Sequence, residues 1–280
     1  MIRTRFAVAM LLMSLTLPAC VEDEQFVGSM LVVHNSRLSD ACELEAAVEG
    51  DFLARGVVDI MLTNRYFLNP TIQNQLLSSK DVKIESAGAG AGGDFRDNLI
   101  EGNQIVLEGA TVSFTTPANV SFALPQNVFI PVSGTVQPQG VTTTALEVLN
   151  VDVGNIVRRA PEFFDAANET FRKTAVVTVL VSVIFKGHTT AGTEVFSNEF
   201  TFPVDMCAGC LLVHPPGTLF TDDDNSLTCD TAAAVAGEGE VVDTGMVATP
   251  CLLGQDDDVD CRLCRTLAPD DITADELCDP

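Results

Sequence analysis

Cysteine is the residue type with the most varied chemistry in this 280-residue chain, which contains nine cysteines. Two pairs have the CxxC spacing: Cys207 with Cys210, and Cys261 with Cys264. A CxxC pair cycles between dithiol and disulfide when one of its thiols has a lowered pKa. Two such pairs can instead hold a zinc ion with four thiolates. The spacing therefore suggests redox chemistry, a zinc site or structural disulfides, and the sequence around each pair must distinguish these.

The residues around the CxxC pairs favour structural disulfides. A thioredoxin-like redox site places its CxxC after a strand and at a helix N-terminus, where the helix dipole lowers the thiol pKa. A strand is predicted before Cys207, but Leu211 to Pro216 are not typical of a helix. A four-thiolate zinc site needs reduced thiols and leaves the other cysteines without a role. A thiol redox factor and a zinc site are kept as alternatives.

Clustered carboxylates form the second set of candidate ligands. Asp222 and Asp224 lie in one acidic run, and Asp256, Asp258 and Asp260 lie in another. Calcium takes six to eight oxygen ligands, so these residues are its candidate site. Neither run has the alternating acidic spacing and glycine of a calcium loop. Solvated acidic loops are the favoured interpretation, and a calcium-binding protein is the alternative.

The N-terminal residues 1–19 have the three parts of a secretory signal. Arg3 and Arg5 precede an apolar run from Phe6 to Leu17, and a small residue follows. This run is shorter than the roughly 20 apolar residues that a membrane-spanning helix needs. We therefore expect residues 1–19 to be a cleaved signal rather than a permanent membrane anchor.

The motif Leu17-Pro18-Ala19-Cys20 ends this segment. It resembles the lipobox of bacterial lipoproteins, which has a leucine three residues before a cysteine and a small residue directly before it. The resemblance implies that Cys20 is lipidated and becomes the mature N-terminus, anchored to a membrane by its acyl chains. Val21 stands where the family commonly has aspartate for inner-membrane retention, which implies an outer-membrane location on the periplasmic or surface face.

An oxidising envelope compartment makes disulfides the expected state of the eight other cysteines. Seven of them lie after residue 206, so complete pairing requires the eighth, Cys42, to bridge to that region. Cys207 or Cys210 is the expected partner of Cys42, because the C-terminal region begins there. The residues predicted to form disulfides are Cys42, Cys207, Cys210, Cys229, Cys251, Cys261, Cys264 and Cys278.

The formal net charge of −24 narrows the classes of partner. A chain this acidic repels phosphate backbones, so nucleic acid is not an expected partner. The sequence contains no Trp and one Tyr, which disfavours an aromatic-rich sugar-binding platform. No cofactor is predicted. The expected partners are the membrane, through the N-terminal lipid, and an envelope protein or polymer.

Period-two alternation of apolar residues predicts strands through most of the chain. The strongest pair is Ala175 to Lys186 and Val195 to Met206, joined by a turn-rich link and read as a hairpin. The first strand of the pair is apolar on both faces, as in a central strand covered on both sides. We also expect a bulge at Gly109, an edge strand around Pro131, and a few helical turns between residues 162 and 172.

Residues 58–68 alternate as one long strand, and Asp59 to Leu76 resemble late-embryogenesis-type β-sandwich domains. The predicted fold is all-β: an immunoglobulin-like antiparallel sandwich followed by an irregular, disulfide-rich acidic tail. The predicted boundaries are a signal (1–19), a tether (20–27), the sandwich (28–206) and the cysteine-rich tail (207–280).

No catalytic motif accompanies the three histidines, His34, His188 and His214, which we interpret as ordinary polar residues. The predicted function is a non-catalytic, lipid-anchored cell-envelope protein that acts as a binding or structural module. A thiol redox factor that uses the CxxC pairs, or a calcium-binding envelope protein, is the alternative.

Overall fold

A computed structural model of the protein describes residues 27–78, 101–215, 218–221, 227–229, 249–267 and 278. The signal, Cys20, most of the tether, Asp222 and Asp224 lie outside these described residues. Among the residues that are described, neither helix has the length and apolar character needed to cross a bilayer.

Strands dominate the described residues, with eighteen strands and two helices. The first nine strands are β1 (Val27–Ser36), β2 (Phe52–Leu53), β3 (Gly56–Asp59), β4 (Tyr66–Leu68), β5 (Pro70–Asn74), β6 (Ile105–Thr115), β7 (Val128–Val136), β8 (Val141–Thr143) and β9 (Leu146–Leu149). The other nine are β10 (Phe164–Asp165), β11 (Thr170–Phe171), β12 (Val176–Thr189), β13 (Glu194–Ser197), β14 (Phe200–Cys207), β15 (Leu212–Val213), β16 (Leu219–Thr221), β17 (Leu227–Cys229) and β18 (Val259–Asp260). The helices are α1 (Val151–Arg158) and α2 (Cys261–Leu267).

Strand β12 is the centre of a ten-stranded sheet. One of its edges pairs with β6, which in turn pairs with β7. Its other edge pairs with β13 and β14, so the predicted hairpin is confirmed. The β6–β12 register shifts on either side of Glu108, which confirms the bulge beside Gly109. Strand β7 has β6 as its one partner among the described strands, as expected for an edge strand that contains a proline.

The main sheet is mixed, which corrects the expectation of a purely antiparallel arrangement. Strand β1 runs parallel to β13, and β3 runs parallel to β14. Alternation in the sequence predicts which residues share a face but carries no information about strand direction. The N-terminal strands therefore extend the C-terminal hairpin on one side, and the described fold is mostly β without being all antiparallel.

Asn198 marks the point where the sheet divides into two branches. It lies between β13 and β14, and the pairing of these strands with β12 shifts by one residue there. The Val32 amide donates to Asn198 Oδ1 at 2.7 Å, which draws β1 against this point. One branch continues through β14 to β3, and the other continues through β13, β1 and β5 to β8.

The predicted long strand over residues 58–68 is wrong, because β3 ends at Asp59. The Asp59 side chain accepts a hydrogen bond from the Met61 amide, and its carbonyl accepts from the amides of Leu62 and Thr63. These bonds turn the chain, and β4 begins only at Tyr66. An aspartate that satisfies nearby backbone amides competes with strand pairing and favours a turn.

The predicted helical turns at residues 162–172 are also wrong. The helix α1 lies earlier, with Asn150 as its N-cap accepting from the Val153 amide at 3.0 Å. Residues 164–171 instead contain the two-stranded hairpin of β10 and β11. Asp165 Oδ1 accepts from the Ala167 amide at 3.1 Å in the connecting turn, which again replaces a helical hydrogen bond.

The two faces of β12 differ in burial. Val179, Val181, Val183 and Phe185 are at most 1% exposed and belong to the continuous hydrophobic core. The opposite face carries Val176, Leu180 and Ile184, which are 59%, 41% and 36% exposed. The expectation that β12 is covered on both sides is therefore wrong, since its outer face is open.

Candidate functional site

Asp59 organises the corner where β3, β14 and the start of the C-terminal region meet. Its Oδ1 accepts from the amides of Met61 at 3.1 Å and Gly209 at 2.8 Å, and its Oδ2 accepts from the Leu211 amide at 3.1 Å. The residue is fully buried. Burial raises the pKa of the Asp59 carboxyl, although the backbone donors act in the opposite direction.

The Cys207–Cys210 disulfide lies against this carboxylate. Cys207 is fully buried at the end of β14, whereas Cys210 is exposed. An Asp59 oxygen and the two sulfur atoms all lie within 4.8 Å of one another. Among the described residues, this is the one group of three metal-ligating side chains so close together. The sulfurs are joined and the carboxylate is occupied by amides, so the oxidised site has no ligands to offer a metal.

Gly209 shapes the loop between the two cysteines. Its φ of +74° lies in the left-handed region, where glycine adopts the backbone without strain. The next element is the short strand β15, so the Cys207–Cys210 pair is not followed by a helix. The helix dipole that lowers the thiol pKa in thioredoxin-like sites is therefore not present at this loop.

The remaining cysteines form three other pairs. Cys42 pairs with Cys251 rather than with Cys207 or Cys210, because those two are already joined. The other pairs are Cys229–Cys261 and Cys264–Cys278. Cys261 and Cys264 are therefore not bonded to each other. This pairing overturns the four-thiolate zinc interpretation and the second redox CxxC, since each of their sulfurs has another partner.

Asp256 is the second carboxylate that the fold withdraws from solvent. It accepts hydrogen bonds from the Val57 amide at 2.7 Å, from the Tyr66 hydroxyl at 3.2 Å and from Gln255 Nε2 at 3.2 Å. Burial raises the pKa of Asp256 to about 6. Gln255 itself binds both backbone groups of Phe67, accepting at 2.9 Å and donating at 2.7 Å. These two side chains attach residues 254–257 to the sheet.

The other acidic candidates in this segment have separate partners. Asp257 pairs with Arg37 at 2.5 Å. Asp260 accepts from the Arg262 side chain at 2.6 Å and from its backbone amide at 2.9 Å. Asp258 is exposed. The described carboxylates of this run therefore face different groups instead of converging on one point, and calcium binding by Asp222 and Asp224 stays a prediction outside the described residues.

The three histidines lie apart from this corner. His188 Nδ1 lies 2.9 Å from Glu108 Oε1, and His214 Nε2 lies 3.1 Å from the Cys278 carbonyl oxygen. His34 lines a polar cleft of about 320 Å³ beside Arg37 and Asp40, and burial lowers its pKa. Each histidine thus has a local structural environment of its own.

Four exposed apolar side chains lie on the outer face of the sheet, with Thr178 and Ser182 between those of β12. Val176, Leu180 and Ile184 recur every fourth residue along β12 and so point to the same side. Thr111 of β6 pairs with Ile184 on one side and with Phe129 of β7 on the other. Phe129 is 51% exposed. These four residues, here called the outer stripe, extend about 26 Å along the strand at 3.3 Å per residue.

Sequence reasoning identified the Cys207–Cys210 motif but missed its neighbour Asp59, and it missed Tyr66 and Gln255 as partners of Asp256. The signal that could have found Asp59 is its position as a lone charge between the apolar residues Val58 and Ile60. A charged residue in a buried run needs hydrogen-bonding partners, and here those partners come from residues about 150 positions later.

Comparison with known proteins supplies no assignment for this site. No protein-family model matches the chain, and no curated protein is similar enough in sequence to be a relative.

Proposed function

We propose that this protein is a non-catalytic, lipid-anchored protein of the bacterial cell envelope that binds a partner protein through the outer stripe. The lipobox-like Leu17-Pro18-Ala19-Cys20 supports the anchor, with the acyl chains on Cys20 and the protein held at the outer membrane. Four cysteine pairs at disulfide distance suit such an oxidising compartment.

The body of the protein serves as a rigid support in this proposal. We assign it an immunoglobulin-like sandwich plan that carries a disulfide-rich acidic tail. The support for this plan is the single buried cluster that unites the inner face of β12 with Tyr66, Leu68 and Leu146. The parallel pairs of β1 and β3 are a departure from that plan.

The outer stripe is the observation that carries the binding function. Scattered exposed apolar residues are common, but four on one sheet face, three of them in line along β12, are typical of an interaction surface. Its strand-paired neighbours Thr111 and Thr115 are uncharged. Two charged residues also border it, Asp205 and Lys186, and their charges are already compensated by Arg55 and Glu194. Because the net charge of the protein is −24, it attracts a partner whose apolar patch is surrounded by basic residues. Such a partner is a protein rather than an acidic polymer.

Site-specific photo-crosslinking in intact cells tests this proposal. A photoreactive phenylalanine at Leu180 or Ile184 is expected to give one discrete crosslinked product, and Val176→Lys is expected to abolish it. The same probe at exposed Glu169 is the matched control and should give none. Crosslinks of equal yield at Glu169, or a product that migrates as a polymer ladder, would overturn the assignment to a protein partner.

Membrane partition tests the anchor independently. The full-length chain is expected to incorporate labelled palmitate and to sediment with membranes, and Cys20→Ala is expected to lose both properties. Cys42→Ala is the control, since it removes a cysteine that is paired in the fold. Retention of the label in the Cys20 variant would contradict lipidation at that residue.

A further inference from the structure

The Cys207–Cys210 disulfide presents its two sulfur atoms unequally. Cys210 is exposed, whereas Cys207 is completely buried behind it. Thiol–disulfide exchange requires an attacking thiolate to approach one sulfur while the other leaves. Access therefore directs attack to Cys210 Sγ and makes Cys207 Sγ the leaving group.

The leaving sulfur lies beside a buried acid. An Asp59 carboxylate oxygen and Cys207 Sγ are within 4.8 Å of each other, and both residues are fully buried. A thiolate formed there would stand next to a carboxylate, and two like charges in such a site cannot both persist. Asp59 and the leaving sulfur must therefore share one proton when the disulfide opens, and Asp59 is the group placed to supply it.

The size of the closed loop also distinguishes this disulfide. Cys207 and Cys210 are separated by 3 positions, whereas the other three pairs are separated by 14, 32 and 209 positions. A disulfide that closes a shorter loop removes less entropy from the unfolded chain and so gains less stability from it. On this ground, Cys207–Cys210 is the pair that a reductant opens most readily.

We propose that Cys207–Cys210 is a thiol–disulfide exchange site for a dithiol partner, with Cys210 as the attacked sulfur and Asp59 as the proton-exchanging group. A partner thiolate forms a bond to Cys210 Sγ, and the Cys207–Cys210 bond breaks with its electron pair on Cys207 Sγ. That sulfur takes the proton from Asp59. The second partner thiol then displaces Cys210, so the partner leaves as a disulfide and the protein holds two thiols.

Five charged groups described by the structure lie near this corner, on the elements packed against it. The Lys173 stem lies against Gly209, and Arg158 donates to the Met61 carbonyl oxygen at 3.2 Å. On β14, Asp205 is paired with Arg55 at 2.8 Å. From the C-terminal segment, Asp256 accepts from the Val57 amide. The cations Lys173 and Arg158 stay charged near neutral pH, whereas Asp256 has a pKa of about 6 and also titrates. The contribution of Asp59 to the pH dependence of the exchange step must therefore be separated from that of Asp256 by variants.

Redox titration of the full chain with dithiothreitol tests the proposal. After alkylation and peptide mass spectrometry, Cys207 and Cys210 should appear as thiols at about tenfold lower dithiothreitol than the other six cysteines. If Cys207–Cys210 opens together with the other three disulfides, or after them, the proposal is overturned. The outcome does not depend on the outer stripe, so it stands or falls separately from the binding function.

The proton-transfer step is tested by the pH dependence of the rate of opening, after that rate is divided by the concentration of dithiothreitol thiolate. For the native chain this normalised rate should fall as pH rises, because Asp59 loses the proton that it donates. Asp59→Asn should remove the dependence, and the control Asp256→Asn, which removes the other buried carboxyl group of this corner, should keep it. A normalised rate that is flat in the native chain would contradict the role of Asp59.

Trapping provides a measurement that does not require an Asp59 variant to fold. The single variant Cys207→Ser leaves Cys210 as a free thiol, and Cys210→Ser leaves Cys207. With oxidised glutathione, the first should form a mixed disulfide at Cys210 at least about tenfold faster than the second does at Cys207. Equal rates would overturn the assignment of Cys210 as the attacked sulfur.

Discussion

At the residue scale, Asp59 and Asp256 show two ways of accommodating a carboxylate inside one corner. Asp59 is held by three backbone amides and joins β3 to the loop after β14. Asp256 is held by one amide and two side chains, and it joins the C-terminal segment to β3 and β4. Each carboxylate satisfies donors from segments far apart in sequence, so each acts as a structural link as well as a titratable group.

The titration of Asp256 should appear as a pH dependence of stability. Its pKa is about 6 in the fold, above the ordinary aspartate value of 3.8, so folding favours the protonated form. Protonated Asp256 therefore adds to the free energy of unfolding. This stabilisation is fully present below about pH 4 and is lost as pH rises through 6, a loss on the order of 1–2 kcal/mol after solvent screening. As pH rises over this range, the unfolding free energy of the native chain should therefore fall relative to that of Asp256→Asn.

Tyrosine fluorescence provides a direct readout of the same group. Tyr66 is the one tyrosine, and the sequence has no tryptophan. A carboxylate that accepts a hydrogen bond from a tyrosine hydroxyl quenches the emission of that tyrosine. Tyr66 emission should therefore decrease as pH rises, with a midpoint near pH 6. Asp256→Asn should remove this transition, and exposed Asp258→Asn should retain it. An unchanged midpoint in the Asp256 variant would assign the transition to another group.

At the element scale, the sequence predicted the elements whose residues depend on their immediate neighbours. Alternation found β12, its hairpin partner, the bulge beside Gly109 and the edge strand at Pro131. It failed at residues 58–68 and 162–172, where Asp59 and Asp165 bind nearby amides and turn the chain. Alternation of apolar residues indicates which side of a strand a residue faces. It does not show where a side chain accepts a hydrogen bond from a backbone amide and so ends a strand or prevents a helix.

The candidate site was predictable only in part for a related reason. The CxxC spacing is local, so Cys207 and Cys210 were visible in the sequence. Their neighbour Asp59 is separated from Gly209 by 150 positions and reaches it through the parallel pairing of β3 with β14. Strand direction is a property of the assembled sheet, and the sequence pattern contained no sign of it.

Helix α1 leads to a prediction at a single glycine. Gly154 packs directly on the turn before β4, where an added Cβ would overlap the Asn64 carbonyl group. Alanine is favoured over glycine in helices by about 1 kcal/mol, but this overlap with backbone outweighs it. Gly154→Ala should lower the unfolding free energy by about 2 kcal/mol in urea denaturation.

Gly134 in β7 is the matched control for that change. An added Cβ there would lie 3.5 Å from Leu107 Cδ1, an ordinary contact. Gly134→Ala should therefore stay within about 0.5 kcal/mol of the native stability. If both variants were equally stable, the close approach of α1 to the turn at Asn64 would not be a constraint on the fold.

At the scale of the whole molecule, the two ends of the described chain are bound to each other. Strands β1 and β3 pair with the C-terminal hairpin, and Cys42 is joined to Cys251. Val259, Cys264 and Cys278 belong to the same buried cluster as the sheet. The C-terminal segment is therefore attached by covalent, hydrogen-bonded and apolar contacts that reinforce one another.

The Cys42–Cys251 disulfide should contribute the largest loop-closure stabilisation of the four. It separates its cysteines by 209 positions, against 14 for Cys264–Cys278. Chain-entropy arguments give about 5 kcal/mol for the longer loop and about 3 kcal/mol for the shorter one. In denaturant titrations, the double variant Cys42→Ala/Cys251→Ala should lose more stability than Cys264→Ala/Cys278→Ala, and the opposite order would contradict the entropic account.

The same double variant should also separate two events that coincide in the native protein. Tyr66 emission reports the docking of Asp256, and far-ultraviolet circular dichroism reports the sheet. With the disulfide intact, both signals should change at the same denaturant concentration. Without it, non-covalent contacts hold the segment around Asp256, among them those of Gln255, Asp256 and the Arg37–Asp257 pair. These contacts should break first, so the Tyr66 transition moves to lower denaturant than the dichroism transition, whereas coincident transitions would mean that the segment is integral to the sheet.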